Sequence, residues 1–583
     1  MPRRRDLFKA VAAGAVVAPL PGLARGAADC SAPAHAWARG IEGQRRADLG
    51  DGSFLNPIVA GDHPDPTVLK DGDDYWMTFS SFHSYPGLVI WHSKDLVNWT
   101  PVGPTLFRNL GDIWAVDLCK HDGRYFIYIP ANPTGKGWSI HAIWADDIRG
   151  PWSEPVDLGI EGCIDPGHAV GEDGRRYLFV NGIRKIRLSD DGLATDGELE
   201  QAYEPWRYPA HWITENFAPE GPKLFWRDGW LYLVTAVGGT AGPATGHMVI
   251  MARARSVHGP WEHCPHNPLV RSRSSREPWW SRGHATAVEG PAGDWWMVYH
   301  GYERGFHTLG RQTLLEPMRW SGDGWLHALG GDLSQPLRKP AQIAGAAHGQ
   351  ALSGPLSPER FGVQWCFHQP GPDDNARLSH EGDVLRLAAA GTSPADAAVL
   401  SCIVGDRAWR AEIALELDGT MRKAACCCST ARSPSSAWAS ARARSRPGST
   451  RRSLNGRGSR ATPAACACAW TTTPTSSPGR TRTTTAAAGP STAPAWKSRA
   501  CTTTSSAASS ACASGCTPLA AARCAWAISA TARSRKRMDR TRCRRRSGGT
   551  PPRSGSHRVF DGDILTSPRS SVRANRHPPP RAG

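Results

Sequence analysis

Residues 60–79, AGDHPDPTVLKDGDDYWMTF, contain the unit from which the architecture of this chain can be inferred. One aspartate, Asp65, stands between two prolines just before an apolar run. An Asp-Gly turn then leads into a second run, which contains Tyr75. Glycine favours tight hairpins at such turns because it adopts positive φ without steric cost. The stretch therefore predicts two antiparallel strands that follow a conformationally restricted carboxylate.

The turn and the aromatic run recur along residues 51–345. The five copies are spaced about fifty to sixty-five residues apart and read DGDDYWMTF (Tyr75), HDGRYFIYI (Tyr125), EDGRRYLFV (Tyr177), RDGWLYLVT (Tyr232) and PAGDWWMVY (Trp296). A second element, SKDLVNW, ADDIRGPW or ARSVHGPW, follows some of them and ends at Trp99, Trp152 or Trp261. Between the copies, short apolar and aromatic runs alternate with Gly, Asp, Asn and Pro, which is typical of strands and turns.

Five units of about four strands each predict an all-β chain with a five-bladed β-propeller over residues 51–345. In that fold each blade buries its faces against the next blade, and the ring closes on itself. An immunoglobulin-like sandwich is the structural alternative, but its strands would not repeat at this longer period with the same aromatic signature.

One acidic or imidazole side chain precedes each aromatic run by about eight to twelve residues. In chain order these candidates are Asp65, Asp117, Asp165, Glu220 and His284. Equivalent positions in a ring of sheets face one central depression, so four carboxylates and a histidine would lie close together there. Like-charge repulsion makes such a cluster costly unless partners or function compensate for it. A surface cluster of acids is the alternative, and the repeated phase argues against it.

Paired carboxylates of unequal acidity suit the hydrolysis of glycosidic bonds. One is protonated and gives its proton to the leaving oxygen, while the other is ionised and acts on the opposite side of the sugar ring. Aspartic proteases also pair two acids, but these share one proton on a different fold. The 25 Trp offer flat faces for sugar rings, although many of them are expected only to pack; examples are Trp91, Trp114, Trp138, Trp212, Trp279 and Trp280.

The segment NPIVAGDHPDPTVLKDGDDYWMTFSSFHSYPGLVIWHSKDLVNW resembles the first blade of glycoside hydrolase family 43, the β-xylosidase and α-L-arabinofuranosidase group. The resemblance continues through WAVDL, IDPGH, EGPKLF, GHATAV and LGRQTLLEP, and it covers roughly residues 51–335. It implies a five-bladed propeller that hydrolyses xylo- or arabino-oligosaccharides, as in xylan degradation, with inversion of configuration. By motif match it implies three catalytic residues: Asp65 as general base, Glu220 as general acid, and Asp165 as the residue that orients this acid and raises its pKa.

Inversion predicts that the carboxyl groups of Asp65 and Glu220 stand ~6.5–9.5 Å apart, which leaves room for a water molecule. The resemblance further implies that His284 and Arg311 bind substrate and that Phe82 and Trp114 line sugar subsites; packing is the alternative role for both aromatic residues. The sequence shows no Cys or His cluster with zinc spacing, so we predict no metal ligands and no required cofactor. The resemblance leaves room for calcium at the centre of the propeller.

Two other functions fit parts of this pattern. A non-catalytic carbohydrate-binding propeller, or an inactive truncated glycosidase, would use the same fold, but the complete set of Asp65, Asp165 and Glu220 argues against a purely binding role. A retaining, fructosidase-like five-bladed enzyme would need an Asn-Asp-Pro nucleophile motif, which is missing here.

Charge is divided unevenly along the chain. The 583 residues have a formal net charge of +17, yet residues 421–583 hold 30 Lys and Arg against 3 Asp, which leaves 39 basic and 49 acidic residues before them. The part expected to fold is therefore acidic, and no nucleic-acid partner is predicted. Ten of the 16 cysteines also lie in residues 421–583, and the other six are too scattered for a disulfide framework.

Residues 355–420 resemble the beginning of the β-sandwich that follows the propeller in many xylosidase-like members. Residues 421–583 form a basic, low-complexity tail with almost no Leu, Ile or Val, for which we predict disorder because it cannot bury enough apolar surface. Runs such as ACCCS and TTT are expected when GC-rich codons are read in a shifted frame, so we hypothesise a frameshift that truncates the sandwich. A natural arginine-rich nucleic-acid arm is the alternative, but it explains neither the cysteines nor the truncation.

Residues 1–28 are typical of a twin-arginine export signal, with Arg4 and Arg5 in a cationic start and an apolar stretch from Ala10 to Leu20. A basic disordered start is the alternative. No other stretch approaches the ~18 apolar residues of a membrane helix. We therefore expect a periplasmic or secreted protein that acts on an oligosaccharide or polysaccharide, with no membrane partner after export.

Overall fold

The computed structural model describes residues 36–415 apart from 134–135, 344, 369, 372–373, 383 and 389–397, and beyond them only the backbone of short strands between residues 423 and 529. Regular structure in this part consists of β-strands and short 3-10 helices, so the described chain is all-β, as predicted. The 3-10 helices span Ile41–Gly43, Asn181–Ile183, His307–Leu309, Pro358–Arg360 and Asn375–Arg377.

Five antiparallel sheets, named I to V here, follow one another along the described residues between Thr67 and Ala328. In each of them, the four main strands are adjacent in the order in which they occur in the chain. Sheet I contains Thr67–Asp71, Asp74–Thr78, Gly87–Ser93 and Thr100–Leu106; sheet II contains Asp117–His121, Arg124–Asn132, Ser139–Ala145 and Val156–Glu161, with Asp112–Ile113 beside its second strand. Sheet III contains Gly167–Val170, Arg176–Val180, Arg184–Arg187 and Glu200–Gln201; sheet IV contains Glu220–Arg227, Trp230–Val237, Met248–Ala254 and Glu262–His263, with Val270–Arg271 beside its third strand; sheet V contains Trp279–Glu289, Trp295–Glu303, Arg311–Trp320 and Leu326–Ala328.

The repeated aromatic residues occupy corresponding places in the five sheets. Each is the second or third residue of the second strand, and each is buried: Tyr75, Tyr125, Tyr177, Tyr232 and Trp296. Trp99, which ends the first copy of the second repeated element, is also fully buried, between the third and fourth strands of sheet I. The sequence repeat therefore marks the same structural position in every sheet.

The first strands of successive sheets contact one another from sheet I to sheet V, and the first strand of sheet V also contacts that of sheet I. Buried apolar clusters join each neighbouring pair, and burial of these side chains holds the sheets in this order. Each cluster contains residues from two neighbouring sheets, for example Ile90 and Ile127, Tyr128 and Leu178, Phe179 and Leu233, Val234 and Tyr299, and Val298 and Met77.

Short strand pairs join the two ends of this segment. Ser53–Phe54 pairs with Leu337–Arg338, so the chain entering sheet I is tied to the chain leaving sheet V. Ala38–Arg39 pairs with Arg45–Arg46 before that point.

The strands after residue 360 extend a sheet that begins within the first part of the chain. Cys366–His368 pairs on one side with Ser84–Tyr85, from the loop inside sheet I, and on the other side with Ala398–Ile403. The same sheet continues through Arg523–Ser529, Lys423–Ser429 and Ala439–Arg442. Two further groups pair Leu378–Glu381 with Val384–Leu387, and Ala408–Leu415 with Thr450–Arg457, which is followed by Thr471–Pro474.

The backbone strands that begin at Lys423 lie within residues 421–583, where the sequence predicts disorder. Disorder of residues 421–583 stays a prediction, since strand pairing uses the backbone N–H and C=O groups that almost every residue carries, whatever its side chain. The rest of residues 421–583 and the predicted export signal at residues 1–28 lie outside the described residues.

Two simpler expectations concern cysteines and membrane spans. The thiols of Cys119, Cys163, Cys264 and Cys366 are free. None of the helices in the described part of the chain has the length and hydropathy that crossing a membrane would require.

Candidate active site

Three of the five candidate positions share an unusual backbone conformation. Asp65, Asp165 and His284 have φ angles of 57°, 55° and 58°. Residues other than glycine rarely adopt this left-handed region, although Asp and His do so more often than most. Such residues cost about 1–3 kcal/mol each and tend to cluster at functional sites. The three residues therefore share one backbone conformation, with Asp65 and Asp165 just before the first strands of sheets I and III and His284 within the first strand of sheet V.

The Asp65 carboxylate is buried, and both of its oxygens accept hydrogen bonds. Oδ1 accepts one from Arg311 Nη1 at 2.7 Å, and Oδ2 accepts one from Ser80 Oγ at 2.5 Å. The backbone N–H of Asp65 donates to His300 Nδ1 at 3.1 Å. Burial opposes ionisation, but the charges of Arg311 and His284 outweigh it and hold the pKa of Asp65 well below its usual value. Asp65 is therefore an ionised carboxylate at neutral pH.

Glu220 begins the first strand of sheet IV, and 17% of its side chain is exposed. Burial raises the pKa of Glu220 to about 8, and the negative charges of Asp165 and Asp65 add to the increase. Asp165 is adjacent, since its Oδ2 accepts a hydrogen bond from the backbone N–H of Gly221 at 3.2 Å. Glu220 consequently keeps its proton at neutral pH, whereas Asp65 has lost its own.

His284 links Asp165 to the rest of the cluster. Its Nε2 lies 3.1 Å from Asp165 Oδ2, and both side chains are buried. Burial disfavours the imidazolium form, but Asp65 and Asp165 outweigh it and raise the pKa of His284. The His284 ring also lies close to the backbone at position 221, where only glycine leaves enough room, because a Cβ atom there would lie only 2.7 Å from the ring.

Two further histidines, His247 and His300, stack against His284. The ring centroid of His247 lies 5.2 Å from that of His300 and 6.4 Å from that of His284, and His247 Nδ1 lies 3.8 Å from Glu220 Oε1. Burial lowers the pKa of His300 to about 4, and burial together with the neighbouring imidazoles lowers the pKa of His247 well below its usual value. Both rings are therefore uncharged at neutral pH, with His247 beside Glu220 and His300 beside Asp65.

The fourth candidate acid, Asp117, has a different environment. Its Oδ1 accepts a hydrogen bond from Lys223 Nζ at 2.6 Å, and its Oδ2 accepts one from the backbone N–H of His168 at 2.7 Å. Thr67 Oγ1 also lies 3.4 Å from Oδ1. Asp117 thus connects the first strands of sheets I, II, III and IV, and these contacts indicate a structural role.

The two predicted subsite aromatics differ in their surroundings. Phe82 is partly buried, and the guanidinium carbon of Arg311 lies 5.5 Å from the centre of its ring. Trp114 is also partly buried and packs against Trp138 at a centroid distance of 4.4 Å, and its indole N–H has no hydrogen-bond partner among the described residues. Trp91 and Trp279 are core residues, so they do not offer free faces to a sugar.

Comparison with known proteins agrees with this arrangement. The sequence pattern of the glycosyl hydrolases family 43 matches residues 54–326. This range contains every candidate site residue and all of sheets I to V except the last two residues of sheet V. Residues 54–326 are therefore a domain of glycosyl hydrolases family 43. The chain itself is 32% identical over 314 residues to a xylan 1,3-beta-xylosidase of a Vibrio species, a match that covers 46% of this chain and 56% of the relative. It is also 32% identical over 362 residues to a non-reducing end alpha-L-arabinofuranosidase of Bacteroides ovatus, covering 58% of this chain and 65% of the relative.

Solved structures show the same fold. The structure of the GH43 protein BlXynB from Bacillus licheniformis superposes with a TM-score of 0.58 at 26% identity, covering 69% of this chain and 81% of that protein. The chain spans only 56% and 65% of the lengths of the two curated relatives, the Vibrio xylosidase and the Bacteroides arabinofuranosidase.

Sequence reasoning missed several residues of the family 43 domain that hold the site together. His247 and His300 occur singly in apolar strands, in HMVIM and MVYHGY, a pattern more often seen for packed core histidines. Lys223 likewise stands alone among apolar neighbours, whereas Ser80 is one of two adjacent serines. A single polar residue within an apolar strand was the available signal, but it does not say which partner the residue meets.

Proposed function

We propose that this chain is a glycoside hydrolase that cleaves xylo- or arabino-oligosaccharides with inversion of configuration. One observation carries the proposal: a protonated carboxyl group, Glu220, and an ionised carboxylate, Asp65, belong to the same buried cluster on the family 43 domain. Hydrolysis of a glycosidic bond by two acids requires this difference in protonation. The names of the Vibrio and Bacteroides relatives support pentose-containing substrates.

We also propose that sheets I to V are the blades of a five-bladed propeller. The contacts between successive first strands, and between those of sheets V and I, support this fold. In a propeller the first strands line the central axis, where Asp65, Asp165, Glu220 and His284 would face a bound sugar.

Glu220 is proposed to act as the general acid. Its raised pKa keeps the carboxyl group protonated, and the proton passes to the glycosidic oxygen as the bond to the anomeric carbon breaks. Asp165 supports this step in two ways, because its negative charge raises the pKa of Glu220 and its bond to Gly221 fixes the chain beside the acid.

Asp65 is proposed to act as the general base. It orients a water molecule on the face of the sugar opposite the leaving group and accepts a proton as the water attacks the anomeric carbon. The hydrogen bonds from Arg311 and Ser80 fix the carboxylate in one orientation, which reduces the cost of positioning the water. A base of such low pKa is weak, so its negative charge also has to stabilise the positive charge that develops on the sugar.

Substrate binding is proposed to involve Phe82, Trp114, His284 and Arg311. Arg311 has donors besides the Nη1 that binds Asp65, whereas the indole N–H of Trp114 is buried, so Trp114 would contact a sugar through its ring. The ring of Phe82, next to Arg311, can pack against the apolar face of a pentose.

The mechanism uses no metal ion. Calcium prefers six to eight oxygen ligands, and the described side chains around His284 supply carboxylate oxygens from Asp65, Asp165 and Glu220 together with two further imidazoles. Calcium at the centre of the propeller stays a prediction, and each step above uses side chains of this chain alone.

The remaining proposals concern the ends of the chain. We infer an export signal at residues 1–28 and a periplasmic or secreted location from the sequence pattern described above. We likewise infer a catalytic domain over residues 51–345, the beginning of a sandwich over 355–420, and a frameshifted tail after it. A carbohydrate-binding propeller without activity is the second candidate, and the unequal protonation of Glu220 and Asp65 argues against it.

The test uses the full chain with nitrophenyl β-xyloside and nitrophenyl α-L-arabinofuranoside, with the first-formed sugar anomer followed by ¹H NMR. Glu220→Gln and Asp65→Asn are each expected to lower kcat by at least ~10²-fold because each removes one proton-transfer group. The exposed Glu204→Gln is the matched control and should leave the rate unchanged. Undiminished turnover in both site variants would refute the assignments, and a retained anomer would refute inversion.

A further inference from the structure

His266, Asp323 and His327 lie together at the far edges of sheets IV and V. His266 follows the fourth strand of sheet IV, Asp323 lies in the turn before the fourth strand of sheet V, and His327 lies within that strand. In each sheet the fourth strand is the one furthest from the first strand, which carries Glu220 or His284. The cluster is therefore separate from the proposed catalytic site.

The three side chains can meet at a single point. Each offers one donor atom, and these atoms lie within 4.8 Å of one another. His266 Nε2 is 3.3 Å from Asp323 Oδ2, and the two imidazole ring centroids are 4.4 Å apart. About half of the Asp323 side chain is exposed, so an ion in solution can reach the cluster.

The turn that carries His266 is fixed to sheet IV. The Asn267 side chain accepts a hydrogen bond from the Met251 backbone N–H at 2.8 Å and donates one to the Met251 carbonyl at 3.0 Å. The backbone N–H of Asn267 donates to the Cys264 carbonyl at 3.2 Å. These contacts hold His266 in place without using its side chain.

The turn that carries Asp323 is fixed to the same sheet. Arg253 Nη1 donates to the carbonyl oxygens of Asp323 and Gly324 at 2.9 and 3.0 Å, and Tyr232 OH donates to the Gly324 carbonyl at 2.7 Å. Ser321 Oγ bonds to Asp323 Oδ1 and lies 3.1 Å from His327 Nε2, so one hydroxyl orients both side chains. Supporting contacts of this kind position ligands before an ion arrives.

We propose that His266, Asp323 and His327 bind one divalent transition-metal ion of the Zn²⁺ class and thereby join the outer edges of sheets IV and V. Two imidazole nitrogens and one carboxylate oxygen are ligands that Zn²⁺ accepts, whereas Ca²⁺ and Mg²⁺ prefer oxygen donors. The fourth tetrahedral position is filled by water. Binding requires a small movement, in which the ion replaces the Ser321 hydroxyl as the partner of His327 Nε2.

The role of this ion is stabilisation of the folded chain rather than catalysis. An ion that binds the assembled cluster but not the separated residues shifts the folding equilibrium by mass action. The site lies at the opposite edges of both sheets from the proposed catalytic residues. The proposal is therefore independent of the proposed function and can be tested on a chain with no measurable activity.

The test titrates the metal-free full chain with ZnCl₂ and records both bound equivalents by calorimetry and the Tm. We expect zinc to raise the Tm by at least ~2 °C, while MgCl₂ and CaCl₂ at the same concentration have no such effect. His266→Ala and His327→Ala should each lose one bound equivalent and most of the increase in Tm. The exposed His211→Ala is the matched control and should keep both, which separates this site from zinc bound by cysteines elsewhere in the chain.

Asp323→Asn provides a second measurement if an alanine variant folds poorly, because asparagine keeps the Ser321 hydrogen bond but removes the charge. It should weaken zinc binding at least ~10-fold, given the contribution of metal ligands and their supporting contacts. An unchanged number of equivalents and an unchanged increase in Tm in all three site variants would overturn the proposal. So would an equal loss in His211→Ala.

Discussion

Replacing Asp165 with asparagine should move the alkaline limit of activity to lower pH. The pKa of Glu220 is raised to about 8, and after burial the charge of Asp165 is the largest cause. Asp165→Asn removes this charge but keeps an oxygen that can accept the Gly221 hydrogen bond. If Glu220 is the general acid, kcat/KM falls once Glu220 loses its proton, so the alkaline limb of the pH profile reports the pKa of Glu220.

The size of the shift follows from the charges at the site. A rise from 4.5 to about 8 corresponds to roughly 5 kcal/mol that disfavours ionisation of Glu220. A like charge at close range commonly accounts for ~1–3 pKa units of such a rise. We therefore expect the alkaline limb to fall by about 1–2 units in Asp165→Asn, with burial maintaining the rest of the increase.

The assay is the pH dependence of kcat/KM with a nitrophenyl pentoside and with an analogue whose better leaving group needs less acid catalysis. The limb should shift clearly with the first substrate and be weaker with the second. Asp190→Asn, an exposed aspartate near sheet III, is the matched control and should leave the profile unchanged. A limb that stays near pH 8, or moves upward, in Asp165→Asn would refute the assignment of Glu220 and Asp165.

Two further predictions concern stability. Lys223→Met should lower the free energy of unfolding by ~3–5 kcal/mol in urea titrations because it leaves buried Asp117 without its cation. The double variant Lys223→Met, Asp117→Asn should recover much of this loss. Equal stability of the single and the double variant would contradict the structural role of Asp117. Glu220→Gln should be more stable than the wild type at alkaline pH. Because the pKa of Glu220 is raised in the folded chain, Glu220 ionises first in the unfolded chain, and the wild type loses stability between pH ~4.5 and about 8. Glutamine does not ionise, so the variant does not lose this stability. Thermal unfolding at pH 5 and pH 8 tests this, since the difference between the two proteins should be larger at pH 8.

The repeated Asp-Gly turn and aromatic run located the second strand of every sheet because a hairpin depends on residues that are neighbours in sequence. The same reasoning placed Asp65, Asp165, Glu220 and His284 at comparable points before or within the first strands. It did not identify the partner of Asp117, Lys223, which is more than one hundred residues away in the chain. Nor could composition reveal the backbone strands after residue 420, because backbone pairing carries little information about side chains.

The sequence by itself determined which residues form strands, where the turns lie, and which side chains have the chemistry for acid and base catalysis. Only the tertiary structure decided their protonation, because the pKa values of Glu220 and Asp65 depend on burial and on charges brought from other sheets. It alone brought His247 and His300 behind the site, and His266 beside Asp323 and His327. The physical reason is that local geometry is encoded by adjacent residues, whereas electrostatic energies and metal coordination depend on distances through space.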